Sequence, residues 1–261
     1  MSLIELKNVT KSYRQGKLFG KNRTVEILHG INLSIESGRC LGLLGESGCG
    51  KSTTGRIVLG LEKCGGEVFY DGKDIWKMKK DERRIFRKNA QVVFQNSHGA
   101  VNPRFRAWEV ITEPLSAFKK MSIDELRETA AALLLRVGLS RDDMDKLPAK
   151  FSGGELQRIC IARAIALNPK FIVFDEAVSA LDMLNMSLVL DLIADLKQKT
   201  NAAFLFISHD LRVLLKISDS LVVMKDGRIT SYVKNIADLE AKNHIFDPAF
   251  KTLALSVLPA A

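Results

Sequence analysis

The chain has 261 residues, of which 46% are hydrophobic and 26% are charged, as in an ordinary globular protein. No apolar run reaches the roughly 18–20 residues that a membrane-spanning helix needs, and the first ten residues lack the basic-then-apolar pattern of a signal peptide. We therefore expect the chain to stay in the cytoplasm. The four cysteines, Cys40, Cys49, Cys64 and Cys160, are scattered singly, which argues against a zinc site or a disulfide framework.

The formal net charge of +9 admits nucleotides, anionic lipids or nucleic acids as partners. The densest basic cluster is formed by Arg83, Arg84, Arg87 and Lys88, on overlapping faces of a predicted helix that also carries Ile85. This cluster is interpreted as a solvated helix surface or as a surface facing anionic lipid headgroups. Nucleic acid is not expected as a partner, because no recognised nucleic-acid motif accompanies the charge.

The first third of the chain predicts strands and one helix. Alternating or continuous apolar residues predict strands at residues 3–9, 31–35, 40–44, 66–70 and 91–94. The run at 40–44 is almost wholly apolar, which is typical of a strand buried on both faces. A helix is predicted over residues 51–59, and Asp71-Gly72 predicts a hairpin turn.

The middle of the chain, from about residue 96 to residue 150, loses the strand pattern. Residues 123–137 have helical periodicity, and Gly138 is a predicted C-cap. Alternation then resumes, with helices predicted at 155–166, 185–199 and 210–217 and strands at 171–174, 204–207, 221–224 and 228–232. Asp226-Gly227 predicts a hairpin turn between the last two strands. This order predicts an α/β fold with a mostly parallel sheet, interrupted by an inserted helical subdomain.

One segment has the pattern of a phosphate-binding loop. Gly45-Glu-Ser-Gly-Cys-Gly-Lys51-Ser52 fits G-x-x-x-x-G-K-[ST], and it stands between a predicted buried strand and a predicted helix. In such a loop the backbone N–H groups and the positive end of the helix face the phosphate oxygens. Lys51 would reach the β- and γ-phosphates, and the Ser52 hydroxyl would bind Mg²⁺. The sequence therefore predicts nucleotide binding.

Two further apolar strands end in polar residues. Residues 171–174 lead into Asp175 and Glu176, at the edge where ligands bind in open α/β sheets. Asp175 is predicted to hold Mg²⁺, and Glu176 to polarise the attacking water. His209 follows the strand at 204–207 and is predicted to hydrogen-bond the γ-phosphate.

Ser152, Gly153 and Gly154 precede a predicted helix. They form either a second anion-binding turn or an ordinary helix cap at Ser152. A second phosphate turn makes sense if two chains dock head to tail, each covering the other's ATP.

In this order the residues resemble the ABC ATPases over about residues 3–230. The resemblance comprises Walker A, Gln95 of the Q-loop, the signature at 151–155, Walker B at 171–176, the D-loop at 179–182 and His209 of the H-loop. Phe151 and Glu155 depart from the usual L-S-G-G-Q signature, while the residues that would face phosphate are intact.

The resemblance implies roles for individual residues. The implied catalytic residues are Glu176, His209 and Lys51, and Mg²⁺ would be bound by Ser52, Gln95 and Asp175. ATP would be bound by Tyr13, which stacks on adenine, and by Gly45, Glu46, Ser47, Gly48, Cys49, Gly50, Lys51, Ser52, Thr53 and Gln95. Ser152, Gly153, Gly154 and Glu155 would contact the ATP of a partner subunit.

The resemblance also implies a domain organisation. It implies a P-loop NTPase fold with a RecA-like core, an antiparallel β subdomain and an inserted α-helical subdomain. Residues 1–95 and 151–235 would form the core with the β subdomain, residues 96–150 would contact a permease, and residues 236–261 would form a helical tail.

Short cues point to one group within the family. Val101-Asn102-Pro103-Arg104 looks like the nickel, dipeptide and oligopeptide importers, and Asp175-Glu-Ala-Val-Ser179 with the C-terminal ending looks most like their nickel-import ATPases. The implied partners are a second ABC ATPase subunit, two membrane permeases and an extracytoplasmic solute-binding protein, at the cytoplasmic face of a bacterial inner membrane. A dipeptide or oligopeptide importer is the alternative.

Other classes fit the sequence less well. An ABC ATPase of DNA repair or translation usually carries two cassettes or a long coiled-coil insert. A P-loop kinase or GTPase would not need Ser152 or His209, and a non-enzymatic nucleotide-binding scaffold would not need Glu176.

Overall fold

The computed structural model describes residues 2–15 and 23–237, and the chain divides into two compact units. The first unit comprises Met1–Arg83 and Ala203–Ala261, and the second comprises Arg84–Ala202. The predicted helical tail lies, from residue 238 onward, outside the described residues. The predicted domain boundaries stay a prediction.

The secondary structure follows the predicted α/β order. The strands are β1 (Ser2–Gln15), β2 (Arg23–Glu36), β3 (Cys40–Gly45), β4 (Gly65–Tyr70), β5 (Lys73–Asp74), β6 (Ala90–Phe94), β7 (Phe171–Asp175), β8 (Ala203–Ser208), β9 (Ser220–Lys225) and β10 (Arg228–Val233). The α-helices are α1 (Lys51–Val58), α2 (Lys80–Asn89), α3 (Ala107–Phe118), α4 (Ile123–Arg136), α5 (Gly153–Ile165), α6 (Met183–Lys199) and α7 (Leu211–Ile217). Two short 3₁₀ turns, Arg141–Asp145 and Pro148–Lys150, precede α5.

The first unit contains an antiparallel sheet and a mostly parallel set of strands. The antiparallel sheet has the order β2-β1-β4-β5. In the second set, β3 lies between β8 and β9 and is parallel to both, while β10 pairs antiparallel with β9. Every residue of β3 is buried, which confirms the strand predicted from the apolar run at 40–44.

Two hairpin turns in this unit confirm the sequence pattern. Asp71 and Gly72 connect β4 to β5, and Asp226 and Gly227 connect β9 to β10. All four residues have positive φ angles between 46° and 73°, the backbone that a tight two-residue hairpin requires. β1 and β2 extend well beyond the predicted 3–9 and 31–35, because they pair with each other along most of their length.

The second unit combines the parallel pair β6 and β7 with helices. The predicted helix at 123–137 is confirmed as α4, which begins with a Ser122–Glu125 capping box. Gly138, with a φ of 71°, follows its end as predicted. Helix α3 was not predicted, because Pro114 in its interior and its β-branched residues disfavour a helix.

Two expectations from composition can be compared with the structure. All four cysteines are free thiols, and three of them are buried. Within residues 2–15 and 23–237, no helix combines the length and the apolar character that crossing a membrane demands.

Candidate functional site

The predicted phosphate-binding loop lies in the first unit, between β3 and α1. Gly50, the N-cap of α1, has a φ of 109°, and a Cβ atom there would lie 2.6 Å from Cδ2 of Leu28. Lys51 is buried, and its Nζ donates hydrogen bonds to the carbonyl oxygens of Gly45 and Glu46 at 2.8 and 2.9 Å. The loop is therefore a tight turn that holds an ammonium group at the start of a helix, where anions are stabilised.

The other residues of the loop differ in exposure. Glu46, Ser47 and Gly48 are exposed, so a ligand can reach the backbone of this part of the turn. Cys49 is buried, and this burial raises the pKa of its thiol although Lys51 lies nearby. The neutral thiol adds no negative charge next to a bound phosphate.

His209 lies at the same edge of the parallel strands as the loop. β8 runs parallel to β3, with Leu44 opposite Ser208. Gly45 and His209 come directly after these two residues. Because parallel strands end at the same edge of a sheet, both lie at neighbouring positions on that edge. The His209 side chain is exposed, as a side chain that contacts a bound phosphate has to be.

Tyr13 belongs to a cluster of charged residues in the same unit. Its phenol donates a hydrogen bond to Oε2 of Glu62. Arg56, on α1, donates to Oε1 of Glu62 at 2.9 Å, and Nζ of Lys11 lies 3.4 Å from Oε2. Burial alone would raise the pKa of Glu62, but the hydrogen bonds from Tyr13, Arg56 and Lys11 hold this pKa below its usual value.

Glu62 thus fixes the phenol of Tyr13 relative to α1, the helix that begins at the phosphate-binding loop. Sequence reasoning missed this residue. Glu62 is 49 positions from Tyr13, and an isolated glutamate in a turn has no pattern that distinguishes it.

Two of the predicted Mg²⁺ residues, Gln95 and Asp175, lie in the second unit together with Glu176, the predicted water-activating residue. β6 and β7 are parallel, and Phe94 pairs with Asp175. Gln95 and Glu176 come directly after these two residues and therefore lie at the same edge of the sheet. Nε2 of Gln95 donates to Oγ of Ser179 at 3.0 Å, and this hydroxyl donates to the carbonyl oxygen of Glu176, also at 3.0 Å. Glu176 has a φ of 48°, an uncommon backbone for a residue other than glycine. The turn after β7 is therefore held by a chain of hydrogen bonds that reaches Gln95.

The predicted signature forms the start of α5 in the same unit. Ser152 caps the helix: its Oγ accepts from the backbone N–H of Glu155 at 3.3 Å. In return, the backbone N–H of Ser152 donates to Oε2 of Glu155 at 2.8 Å, and these hydrogen bonds hold the pKa of Glu155 below its usual value. The structure thus has the capping arrangement that the sequence allowed. Ser152 and Gly153 are exposed, so a ligand outside the chain can still reach this turn.

The signature turn is in contact with the start of α6. A Cβ atom on Gly154 would overlap the side-chain amide of Asn185. That amide is held by Asp182, the N-cap of α6, whose carboxylate accepts from the backbone N–H and from Nδ2 of Asn185 at 2.9 and 2.7 Å. Asn185, which sequence reasoning missed, thus connects the predicted D-loop with the predicted signature.

The donor atoms at the predicted Mg²⁺ residues fit that ion. Ser52 offers a hydroxyl in the first unit, while Gln95 and Asp175 offer an amide and a carboxylate oxygen in the second. Mg²⁺ prefers such oxygen ligands and usually binds through one or two carboxylates together with phosphate and water. Among the described residues no group of three or more His, Cys, Asp or Glu side chains could hold a metal ion.

Known proteins resemble this chain along most of its length. A family model described as "ABC transporter" matches residues 28–179. The "Nickel import ATP-binding protein NikE" of Brucella suis biovar 1 is 42% identical, over 99% of this chain and 96% of the relative. The "Dipeptide transport ATP-binding protein DppF" of Escherichia coli K12 is 40% identical, over 87% of this chain and 68% of the relative.

The fold has a close counterpart among solved structures. The ATP-binding cassette MJ0796, in a dimeric post-hydrolysis state bound to ADP and Pi, superposes with a TM-score of 0.77 at 30% identity. The superposition covers 88% of this chain and 97% of that one. This likeness confirms the predicted fold class.

Proposed function

This chain belongs to the ABC transporter family and is an ATPase of it, and from that premise we propose that it powers an importer of nickel or of a related metal complex. The observation that carries the proposal is the nearly full-length similarity to a nickel-import ATP-binding protein, at 42% identity over 99% of this chain and 96% of the relative.

A dipeptide importer is the second candidate. It is favoured by the 40% identity to a dipeptide-transport ATP-binding protein, while the short segment from Val101 to Arg104 fits both candidates. The match covers 87% of this chain, against 99% for the nickel-import relative. Nickel is therefore the preferred cargo.

In the proposed mechanism, the loop from Gly45 to Thr53 binds the phosphates of ATP. Lys51 exchanges its two carbonyl contacts for the β- and γ-phosphate oxygens, and Tyr13 stacks on adenine. Ser52, Gln95 and Asp175 hold Mg²⁺, which neutralises phosphate charge when bound.

The reaction itself needs groups that act on water and on the γ-phosphate. Glu176 orients the attacking water, and His209 donates a hydrogen bond to the γ-phosphate. Because the Glu176 turn is tied to Gln95 through Ser179, the backbone that carries this carboxylate is held in place before substrate binds.

The working enzyme in this proposal contains two ATPase subunits. Ser152, Gly153, Gly154 and Glu155 contact the ATP bound by the partner, a second homologous or identical chain. Two permeases and an extracytoplasmic solute-binding protein complete the importer, and this chain acts at the cytoplasmic face of the bacterial inner membrane. The closing and opening of the ATPase pair would switch the permeases between two states.

The variant Glu176→Gln tests the hydrolytic part of the proposal. We expect ATP binding to persist and the ATP-bound dimer to accumulate, while hydrolysis falls by a factor of about 100 to 1,000, since a group of this kind contributes roughly 3–4 kcal/mol to the transition state. Glu67→Gln, at an exposed position on β4, is the matched control and should hydrolyse ATP like the parent chain. Hydrolysis at the parent rate by Glu176→Gln would remove this residue from the mechanism.

The cargo is tested in cells that lack the gene for this chain. Radiolabelled nickel uptake should be restored by the wild-type chain and not by Glu176→Gln. Uptake of a labelled dipeptide should be the same in the cells that receive the wild-type chain and in those that receive Glu176→Gln. Restoration of dipeptide uptake in place of nickel uptake would establish the second candidate.

A further inference from the structure

Helix α2 presents a basic surface that the ATPase chemistry does not use. Arg84, Arg87 and Lys88 stand at i, i+3 and i+4 and therefore lie on one side of the helix. Phe86 is 3% exposed and attaches the helix to the protein, whereas Ile85, between the cations, is 57% exposed. An aliphatic side chain thus stands in water among basic groups.

A second element extends this surface within the same unit. The Arg84 guanidinium donates to the carbonyl oxygen of Ala117, at the end of α3, over 3.1 Å and lies 5.4 Å from the centroid of the Phe118 ring. Lys119 and Lys120 follow directly and are both exposed. We call the surface of Arg84, Ile85, Arg87, Lys88, Phe118, Lys119 and Lys120 the basic face.

The charge of the basic face is not neutralised by acidic side chains among the described residues. In the part of the chain that the structure describes, none of its five cations forms an ion pair. Of the acids near them in sequence, Glu82 in the first turn of α2 pairs with Lys73, and among the described residues Asp81, Glu113 and Asp124 form no ion pair with these cations. The basic face therefore attracts anions from outside the chain.

We propose that the basic face binds the anionic headgroups of a phospholipid membrane. Cations attract such a surface electrostatically, and an exposed aliphatic residue among them can enter the boundary between headgroups and acyl chains. Nucleic acid is a poorer match, because Arg84 covers one face of the Phe118 ring and no recognised nucleic-acid motif accompanies the charge. The contact goes beyond the proposed function, since neither ATP binding nor hydrolysis needs it.

Vesicle flotation with the full chain tests the proposal. The probes are vesicles of phosphatidylcholine alone and of phosphatidylcholine mixed in equal parts with phosphatidylglycerol. We expect binding to the anionic vesicles only, and weaker binding as salt rises. The double variant Lys119→Gln/Lys120→Gln lies outside the helices and should bind roughly 20-fold more weakly, since each cation at an anionic membrane contributes about fivefold.

Two further variants separate lipid binding from a general effect of charge. Arg136→Gln/Lys150→Gln removes two exposed cations elsewhere in the same unit and should float like the parent chain. Ile85→Ser leaves the charge unchanged and should weaken vesicle binding several-fold without changing binding to heparin. The ATPase rate of each variant, measured without lipid, should equal that of the parent chain.

Several results would overturn the proposal. These are equal flotation with both kinds of vesicle, no flotation with either, or an equal loss in the control pair. An Ile85→Ser variant that binds vesicles like the parent chain would reduce the face to a nonspecific polyanion site. A failure of ATP hydrolysis with intact flotation would count against the proposed function alone.

Discussion

Glu62 is a residue whose importance is visible only through its contacts. It accepts hydrogen bonds from Tyr13 and Arg56, and its pKa is lowered although it is partly buried. If Tyr13 stacks on adenine, Glu62→Ala should leave the ring free to turn and weaken ATP binding about two- to fivefold, the usual size for a partly exposed charged contact. Binding of inorganic tripolyphosphate, which has no base, should not change. Titration calorimetry on the full chain measures both.

The Tyr13→Ala background supplies the control for this prediction. Without the ring, adding Glu62→Ala should cause no further loss of ATP affinity. A loss of the same size in both backgrounds would show that Glu62 acts through the fold and not through Tyr13.

Position 154 requires a glycine because the Asn185 side chain lies close to it, and not because its backbone has an unusual φ angle. Gly154→Ala should push the Asn185 amide away and displace the signature turn. ATP hydrolysis should therefore fall at least tenfold, while ATP binding to the isolated chain stays unchanged. Comparing nucleotide affinity with the steady-state hydrolysis rate separates the two effects.

A second substitution, at Asn185, provides the check. Asn185→Gly removes the three atoms nearest to the added methyl group, so Gly154→Ala/Asn185→Gly should recover much of the lost activity. An equally inactive double variant would mean that Gly154 matters for another reason.

At the scale of elements, Asp145 connects helices α3 and α4 of the second unit. Its carboxylate accepts from Arg127 on α4 at 3.0 and 2.9 Å and from Arg106, the N-cap of α3, at 3.1 Å. The guanidinium of Arg127, with that of Arg106, lowers the pKa of Asp145 to about 2. The stabilisation is present above the pKa of the unfolded chain, about 3.9, and is lost as the pH falls toward 2.

Asp145→Asn should lower the urea midpoint of unfolding at neutral pH. The difference from the parent chain should stay constant from pH 7 to about pH 4 and shrink below that, because the parent carboxylate then gains its proton. Glu113→Gln, an exposed change of equal charge on α3, should shift the midpoint little. A difference that persists unchanged to pH 3 would assign the effect to something other than charge.

At the scale of the whole molecule, the proposal requires two chains for each reaction centre. Lys51→Ala disables the phosphate-binding loop, and Gly154→Asp disables the signature. Each variant alone should be inactive. An equal mixture should regain about a quarter of the parent rate, because half of the dimers are mixed and each contains one complete site.

The rate of hydrolysis per chain should also rise with protein concentration. Sedimentation velocity with and without ATP gives the dimer population at each concentration. A monomer that hydrolyses ATP at the full rate, or a mixture with no recovery at any concentration, would contradict a site shared between two identical chains. If the mixture shows no recovery, a required second, non-identical ATPase is the remaining arrangement.

The sequence by itself determined the features that depend on neighbouring residues. The apolar run at 40–44, the glycines that follow it and Lys51 predicted a buried strand, a turn and a helix, and the structure has them. The hairpins at Asp71 and Asp226 were predicted for the same reason, because backbone conformation is chosen locally by glycine and its neighbours. The α/β order followed from hydrophobic periodicity alone.

Only the tertiary structure decided which distant residues meet. The contacts of Glu62 with Tyr13, of Asn185 with Gly154 and of Arg84 with Ala117 join positions that no local pattern relates. Helix α3 belongs to the same class: its local propensity is poor, but Val110, Ile111 and Leu115 are buried, and this packing outweighs the proline. Local preference is worth tenths of a kcal/mol for an ordinary residue and about 3 kcal/mol for a proline inside a helix. Burial of each of the three apolar side chains is worth about 1.5–3 kcal/mol, so their packing together outweighs the proline and the fold decides these positions.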